Sequence, residues 1–174
     1  MSSADGKLAI VYNGELYNFR ELAAELKSKG HQFRTSSDTE VILYAWREWG
    51  DDCVKRFRGM FAFCAIDFER RRWLLARDHF GIKPVLYRLE KDSLAFASEF
   101  AALRQLDGPL TGSLAALEWF MRFQYIPAPD TVFNEIRKLE PAHVLSGDFD
   151  GKVNGPRRYW QMSFSADEAQ SESQ

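Results

Sequence analysis

The chain has 174 residues, 45% of them hydrophobic and 28% charged, a composition typical of one folded globular domain. Its 23 Lys and Arg residues nearly balance 25 Asp and Glu residues, and the net charge of −2 excludes a strongly basic nucleic-acid surface or a polybasic membrane anchor. The two cysteines, Cys53 and Cys64, exclude a disulfide-rich secreted scaffold. Because the sequence shows neither a signal peptide nor an apolar run approaching the roughly 20 residues that span a bilayer, we expect a cytoplasmic protein.

The first elements predicted along the chain are a strand and a helix. The apolar run over 7–12 is typical of a strand buried on both faces, and the Asn13-Gly14 pair that follows predicts its end. Asn18, with Glu21 three positions later, has the pattern of a capping box. The sequence therefore predicts a helix that begins just after Asn18.

A second helix is predicted where the same signal recurs at Ser37 and Glu40. Gly50 has the residue type that commonly follows the last helical turn. Between these limits the apolar residues recur at helical spacing, which indicates one buried face. The stripe consists of Val41, Ile42, Ala45, Trp46 and Trp49.

From Gly59 onward the pattern changes to short apolar runs separated by tight, charged turns, which indicates antiparallel strands. The predicted strands are 60–66, 73–76, 84–89, 93–97 and 142–145. A helix capped by Ser113 is predicted over 114–123. The polar composition near the end predicts a domain over 1–166 and a disordered tail over 167–174. Early helices and later strands together favour an α+β layered fold.

Inspection for catalytic groups gives no metal site and no strong nucleophile. His31, His79 and His143 are scattered, and neither cysteine has a partner at C-x-x-C spacing. Cys64 lies within an apolar run, and Cys53 follows two aspartates whose charges raise the pKa of a thiol. We therefore expect no metal and no other cofactor in this chain.

Two polar positions can be interpreted as ligand-binding or as purely structural. The side-chain amide of Asn13 and the backbone N–H of Gly14 can donate two hydrogen bonds to an oxyanion, but a strand-ending turn has the same pattern. Asp38 can bind the ammonium group of a ligand, or it can complement the dipole of the helix that it opens. The residue types alone leave both alternatives open.

Six segments, in order, resemble the glutaminase domain of glutamine-hydrolysing asparagine synthetases, which is a class II glutamine amidotransferase domain. The similarity runs from about Asp5 to Trp160 and so includes nearly the whole chain. The segments are N-G-E-L-Y-N-F-R-E-L at 13–22, S-D-T-E-V-I at 37–42, R-G-M-F-A-F at 58–63, R-D-H-F-G-I-K-P-V-L-Y at 77–87, F-A-S-E at 96–99 and I-R-K-L-E-P at 136–141.

The resemblance implies an N-terminal-nucleophile hydrolase-like fold, a four-layer αββα sandwich with antiparallel sheets, here missing its first strand region. In that family an N-terminal cysteine thiolate attacks the side-chain amide of glutamine. The residues that match Asn13 and Gly14 form the oxyanion hole, the carboxylate that matches Asp38 binds the substrate α-ammonium, and Glu15 matches a substrate-pocket residue. Ammonia then passes to a synthetase domain, where ATP and Mg²⁺ are expected.

The family places its nucleophile several dozen residues before the Asn-Gly pair, whereas 12 residues precede Asn13 here, and the pyrophosphate loop of the synthetase domain is absent from the sequence. We therefore expect part of an asparagine synthetase-like amidotransferase, with glutamine and a synthetase domain as partners, that is inactive as an isolated chain. One alternative is a non-catalytic binding or scaffold module that acts through a partner chain or a homodimer. Another is a hydrolase that uses an N-terminal hydroxyl such as that of Ser2. Neither nucleic acid nor a membrane is an expected partner.

Overall fold

Two antiparallel sheets organise the part of the chain that the computed structural model describes, residues 1–90 and 93–164. In chain order the elements are β1 (Leu8–Leu16), α1 (Phe19–Ser28), α2 (Asp38–Trp49), a 3₁₀ helix (Gly50–Arg56), β2 (Gly59–Asp67), β3 (Arg72–Arg77), β4 (Leu86–Leu89), β5 (Leu94–Ala97), α3 (Phe100–Leu103), α4 (Leu114–Phe123), β6 (Arg137–Lys138), β7 (His143–Asp148) and β8 (Val153–Arg158). The larger sheet has the order β1-β2-β3-β7-β8, and the smaller sheet has the order β5-β4-β6. The tail predicted over 167–174 lies outside the described residues.

The layers follow the order helix, sheet, sheet, helix. One apolar cluster fills the space between α1, α2 and the larger sheet. A second cluster, which includes Leu75, Val85 and Leu145, lies between the two sheets. A third cluster, around Leu103 and Ile136, covers the outer face of the smaller sheet together with α3. This is the αββα order of an α+β fold that the sequence analysis expects.

β1 is longer than predicted, because it continues through the Asn13-Gly14 pair. The strand pairs with β2 as far as Leu16, which lies opposite Gly59. A Cβ atom on residue 14 would collide with the backbone carbonyl oxygen of Met60, so the close approach of the two strands requires glycine at this position. The prediction of a strand that ends before Asn13 is therefore wrong, since pairing with a strand distant in sequence extends it.

Only one face of β1 is buried along its length. Leu8, Ile10 and Leu16 point into the cluster beneath the helices, whereas Val11, on the other face, is 64% exposed. The prediction of a strand buried on both faces is therefore wrong. β1 is instead an edge strand of the larger sheet, and its burial alternates along the chain.

The start of α1 is fixed by contacts that differ from the predicted capping box. Asn18 precedes the helix, but its side chain makes no capping hydrogen bond. Its amide nitrogen donates to the carbonyl oxygen of Arg56 at 2.9 Å, and its oxygen accepts from the backbone N–H of Arg58 at 2.9 Å. These longer-range bonds use the polar atoms of Asn18 and tie the start of α1 to the segment before β2.

α2 and α4 have the predicted bounds, and each begins after a capping serine. The side chain of Ser37 accepts from the backbone N–H of Thr39, and the side chain of Ser113 accepts from that of Ala116, both at 3.2 Å. The predicted strands correspond to β2, β3, β4, β5 and β7 within a few residues, and the Asp150-Gly151 pair before Val153 predicts the hairpin turn that leads into β8. The short elements α3 and β6 and the 3₁₀ helix are absent from the prediction. Among the described residues, no helix is long and apolar enough to cross a membrane.

Candidate functional site

The free edge of β1 presents unpaired backbone groups at Gly14. The backbone N–H of Tyr17 donates to the carbonyl oxygen of Arg58, and that of Phe68 donates to the carbonyl oxygen of Lys7, so odd-numbered residues of β1 form the bonds to β2. The N–H and C=O groups of the even-numbered residues therefore point away from β2, off the edge of the sheet. These residues are Leu8, Ile10, Tyr12, Gly14 and Leu16.

The two ends of this edge are covered by other parts of the chain. Met1 and Ser3 form backbone hydrogen bonds with Ile10 and Leu8, so the first residues run antiparallel to β1. At the other end the backbone N–H of Leu16 donates to Oδ2 of Asp38 at 3.0 Å. Between them, no described residue forms a hydrogen bond with the outward N–H or C=O groups of Tyr12 and Gly14.

Asn13 presents its side chain next to this edge, on the face of β1 that points towards the smaller sheet. The amide nitrogen of Asn13 lies 3.5 Å from Oγ of Ser98, which follows β5. The two residues line a cavity of about 120 Å³ between the sheets, whose walls include Val85 and Phe96. The amide of Asn13 and the N–H of Gly14 therefore lie at one corner, where a carbonyl oxygen can accept from both donors.

Asp38 lies at the first position of α2 and reaches the edge of β1 from the helix side of the sheet. Its Oδ2 accepts from the hydroxyl of Tyr12 at 2.9 Å, in addition to the N–H of Leu16. Its Oδ1 has only the hydroxyls of Ser37 and Thr39 nearby, both at 3.4 Å, and so retains acceptor capacity. The carboxylate thus has one oxygen anchored to β1 and one oxygen open to a further donor.

Three of the four residues singled out in the sequence are consecutive in β1, and Asp38 joins them through the Leu16 amide. Glu15 is exposed and shares the sheet face of Asn13, whereas Asp38 lies on the opposite side of the strand. The structure therefore brings the four residues to one end of β1. It distributes them around the open edge at Gly14 rather than in a single closed cavity.

A buried carboxylate fixes the loop that forms the far wall of the cavity. Asp78 is 0% exposed and accepts from the backbone N–H groups of Phe61, Phe80, Ile82 and Lys83, at 2.9 to 3.2 Å. The guanidinium of Arg77 donates to three backbone carbonyl oxygens, those of Gly81, Lys83 and Leu139. Burial lowers the pKa of Arg77 from its ordinary value. Arg77 and Asp78, the first two residues of the segment at 77–87, therefore hold the loop before β4 in place rather than facing a ligand.

Neither cysteine has the environment of a nucleophile. Burial raises the pKa of Cys64 to about 12 and raises the pKa of Cys53 well above its ordinary value, with the Asp51 charge as a further cause. Both thiols therefore stay protonated at neutral pH, and both are buried in the structure. Ser2 lies opposite Ala9, which places it roughly 17 Å along the strand from Gly14. This distance argues against Ser2 as a nucleophile for this edge.

The described part of the chain contains no group of three His, Cys, Asp or Glu residues that could hold a metal ion. The ring of His79 packs edge-on against Tyr159 and Trp160, and burial lowers its pKa. Nε2 of His31 donates a hydrogen bond to the carboxylate of Glu48 on the surface, at 3.0 Å. Both residues therefore have contacts of a structural kind.

Two further residues at or near this edge, Tyr12 and Ser98, are not predicted as site residues from the sequence. Tyr12 occupies the inward position between Ile10 and Gly14, where its polar tip is the one feature that distinguishes it from an ordinary core residue. Its contact with Asp38 joins residues 26 positions apart, and no local pattern encodes that pairing. Ser98 belongs to the F-A-S-E segment, but its proximity to Asn13 depends on the packing of the two sheets.

The fold that carries this edge occurs in a known family. The glutamine amidotransferase domain family matches residues 1–160, so the chain belongs to that family. A solved glutamine phosphoribosylpyrophosphate amidotransferase from B. subtilis, complexed with ADP and GMP, superimposes with a TM-score of 0.59 at 22% sequence identity. The match covers 93% of this chain and 31% of that chain. This likeness in fold confirms the expected N-terminal-nucleophile hydrolase-like architecture.

Curated relatives refine the family assignment. The asparagine synthetases (glutamine-hydrolysing) 1 and 3 of Bacillus subtilis strain 168 are 36% and 39% identical to this chain, over 164 and 155 residues. These matches cover 94% and 88% of the chain but only 26% and 25% of the two synthetases. The chain is therefore a glutamine amidotransferase domain of the asparagine synthetase-like type, and it spans about a quarter of the length of these relatives.

Proposed function

We propose that this chain provides the glutamine-binding surface of a glutamine-hydrolysing amidotransferase, in which Asn13 and Gly14 bind the side-chain carbonyl oxygen of glutamine. The observation that carries the proposal is the N–H of Gly14, which is free at the edge of β1 directly beside the Asn13 amide. When a nucleophile attacks the carbonyl carbon, negative charge develops on that oxygen. Two fixed donors then stabilise the transition state more than the ground state.

Asp38 and Glu15 complete the proposed binding surface. The open Oδ1 of Asp38 accepts from the α-ammonium group of glutamine, and the exposed carboxylate of Glu15 lies on the Asn13 side of the strand. An ammonium bound to a carboxylate forms a charge-assisted hydrogen bond, which is stronger than a neutral one. A glutamine molecule laid along this edge would place its amide and its ammonium at opposite ends of the 13–16 segment.

We also propose that the 174-residue chain binds glutamine without hydrolysing it. Its buried cysteines have strongly raised pKa values, and Ser2 is distant from Gly14. In the whole protein a nucleophile from outside these residues acts on the bound amide, and the released ammonia passes to a synthetase domain in the cytoplasm. The relatives are named as glutamine-hydrolysing asparagine synthetases. In this proposal ATP and Mg²⁺ bind to the synthetase domain and not to the present chain.

The test is a titration of the purified chain with L-glutamine, combined with an assay for ammonia release. We expect saturable binding and no ammonia. Asn13→Ala and Asp38→Asn should weaken binding, whereas the matched control Asp150→Asn, in the exposed turn before β8, should not. Absence of binding at millimolar glutamine would refute the proposed binding surface. Ammonia release by the unmodified chain that Ser2→Ala or Cys64→Ala abolishes would refute the proposed lack of turnover.

A second candidate function, a binding or scaffold module that forms a homodimer, is favoured by α4. Leu117 is 56% exposed and Met121 is 70% exposed, and Ala116 is the one buried residue of this helix. The rings of Trp119 and Phe123 stack on each other with centroids 5.7 Å apart, also on the surface. A contiguous apolar surface of this kind marks an interaction site, and a second copy of α4 would cover it symmetrically.

Light scattering at micromolar concentration tests the dimer. The expected result is a dimer that Met121→Glu converts to a monomer. Gln32→Glu adds the same charge at another exposed position and should leave the dimer intact. A monomer of the unmodified chain, or a dimer that survives Met121→Glu, would exclude self-association through α4.

A further inference from the structure

Among the described residues, Tyr12 has the one side chain that links the strand of the proposed glutamine-binding surface to the carboxylate of Asp38. Its hydroxyl donates to Oδ2 of Asp38 at 2.9 Å, and the N–H of Leu16 donates to the same oxygen at 3.0 Å. The two donors lie four residues apart on β1, on either side of Gly14. These two hydrogen bonds therefore hold the carboxylate of Asp38 beside the unpaired part of the β1 edge at Gly14.

From this geometry we infer that Tyr12 is a positioning residue, which orients the Asp38 carboxylate so that its second oxygen binds the α-ammonium group of an amino-acid ligand. The inference rests on the proposed function, because it specifies how the proposed glutamine-binding surface distinguishes glutamine from a similar amide that lacks the α-amino group. Tyr12 itself touches the carboxylate and not the ligand. Loss of the Tyr12 hydroxyl should therefore affect the binding of the ligand's α-ammonium group and not the binding of its side-chain amide.

The surroundings keep Tyr12 in the donor state. Its ring packs at the border of the cluster beneath α1 and α2, and burial together with the hydrogen bond to Asp38 raises the pKa of the phenol far above neutral. The hydroxyl is therefore protonated at neutral pH, and it can serve Asp38 only as a donor. A carboxylate that accepts two hydrogen bonds on one oxygen loses rotational freedom about its terminal torsion, which reduces the entropy cost of binding a cation at the other oxygen.

Other charged groups near the edge do not replace this contact. The groups that influence the Tyr12 phenol are Asp38, Glu15 and Tyr17, of which Asp38 alone accepts its hydrogen bond. Ser37 and Thr39 lie at 3.4 Å from the other oxygen of Asp38, a distance at which a hydroxyl restrains it weakly. Removal of the Tyr12 hydroxyl therefore leaves the Leu16 amide as the one strong donor.

The experiment compares two ligands, L-glutamine and glutaramate, which is glutamine without its α-amino group. Tyr12→Phe removes the donor and keeps the ring, and Tyr125→Phe is the matched control on an exposed tyrosine remote from β1. We expect Tyr12→Phe to weaken L-glutamine binding about 5- to 10-fold, the size of one ordinary net hydrogen bond, because the effect reaches the ligand indirectly through Asp38. Glutaramate binding should not change, and Tyr125→Phe should change neither.

A double-mutant cycle separates positioning from structure. Asp38→Asn should remove the preference for L-glutamine over glutaramate, and Tyr12→Phe should then have no further effect. If Tyr12→Phe weakens both ligands equally, or weakens neither, the positioning role is refuted while the proposed function stands. If the unmodified chain binds no L-glutamine, the proposed function fails first and this inference fails with it. Thermal unfolding of each variant verifies that the fold is retained.

Discussion

α2 and α4 have the same kind of N-terminal cap, but α2 is buried in the core and α4 is exposed on the surface. Each follows a serine whose side chain accepts a backbone N–H at 3.2 Å, and each carries an apolar sequence over 10 to 12 residues. α2 buries seven consecutive residues, Glu40 to Trp46, whereas α4 buries Ala116 alone. Capping and helical periodicity therefore determine where a helix lies, while the sheet that it meets determines whether its apolar side chains contribute to stability.

The sharpest test of this comparison is a matched pair of leucine truncations. Leu43 in α2 is 0% exposed, and Leu117 in α4 is 56% exposed. Leu43→Ala should lower the free energy of unfolding by about 2–5 kcal/mol, because it removes packed methyl groups and leaves a cavity. For the monomer, in which Leu117 is exposed, Leu117→Ala should change it by less than about 0.5 kcal/mol, whereas the proposed dimer covers Leu117 and should make the loss larger. Urea denaturation measures both. Similar losses would mean that α4 is covered in solution, as the proposed dimer requires.

The next largest effect concerns a buried carboxylate of α2. Burial raises the pKa of Glu40, but hydrogen bonds from the backbone N–H groups of Arg34 and Thr35 and from the Thr35 hydroxyl outweigh it, and the net pKa is lowered from 4.5. Glu40→Gln should destabilise the protein by about 1–3 kcal/mol at pH 7, because backbone donors lose a charged acceptor.

The pH dependence of this prediction has a definite sign. A carboxyl group whose folded pKa lies below its unfolded value stabilises the protein above that unfolded value, and the contribution disappears as the pH falls through the folded pKa. The difference in unfolding free energy between the unmodified chain and Glu40→Gln should therefore shrink as the pH falls below about 4.5. A difference that is constant down to pH 2 would contradict the assignment to Glu40.

Replacement of the two capping serines should change different measured quantities, global stability for Ser37 and local hydrogen exchange for Ser113. Ser37→Ala and Ser113→Ala each remove a cap that contributes about 1 kcal/mol to its helix. Because α2 is part of the main core, the first change should lower global stability. The second should mainly raise the hydrogen-exchange rates of amides in α4, since this helix can open locally. Equal changes in the urea midpoint would show that α4 unfolds together with the core.

The smallest expected effect is that of the ion pair on the surface of α4. Glu118 and Arg122 lie 2.7 Å apart at i,i+4 spacing, and both side chains are largely exposed. Glu118→Gln should therefore destabilise by about 0.3–0.5 kcal/mol, and 1 M salt should remove the difference. A larger, salt-resistant loss would indicate that a partner covers α4.

The sequence predicts the helices better than the edges of the sheets. The bounds of α2 and α4 follow from local residues, since serine caps and the apolar period are properties of a dozen neighbouring positions. The hairpin turn at Asp150-Gly151 predicts the start of β8 but not its length, because Gly155 and Pro156 lower its strand propensity and it is an exposed edge strand that the core does not select. β1 is predicted too short because the reason for its length, the contact of Gly14 with Met60, involves residues 46 positions apart.

The candidate site shows the same limit. The sequence supplies Asn13, Gly14, Glu15 and Asp38 through their resemblance to a family, and the structure places all four at one end of β1. The sequence does not supply the orientation of the Gly14 N–H, because that orientation depends on which residues of β1 form the hydrogen bonds to β2. Nor does it supply the contact between Tyr12 and Asp38, which depends on how α2 packs against β1.

The way in which β1 is covered also bears on aggregation. An exposed edge strand is a template on which other chains can extend a sheet, and proteins that leave one long and flat tend to form fibres. Here Met1 and Ser3 occupy one end of the edge, and Asp38 occupies the other. The opening at Tyr12 and Gly14 offers too few outward groups for a foreign strand to pair, so the short gap at which the glutamine site is proposed also limits sheet extension along this edge.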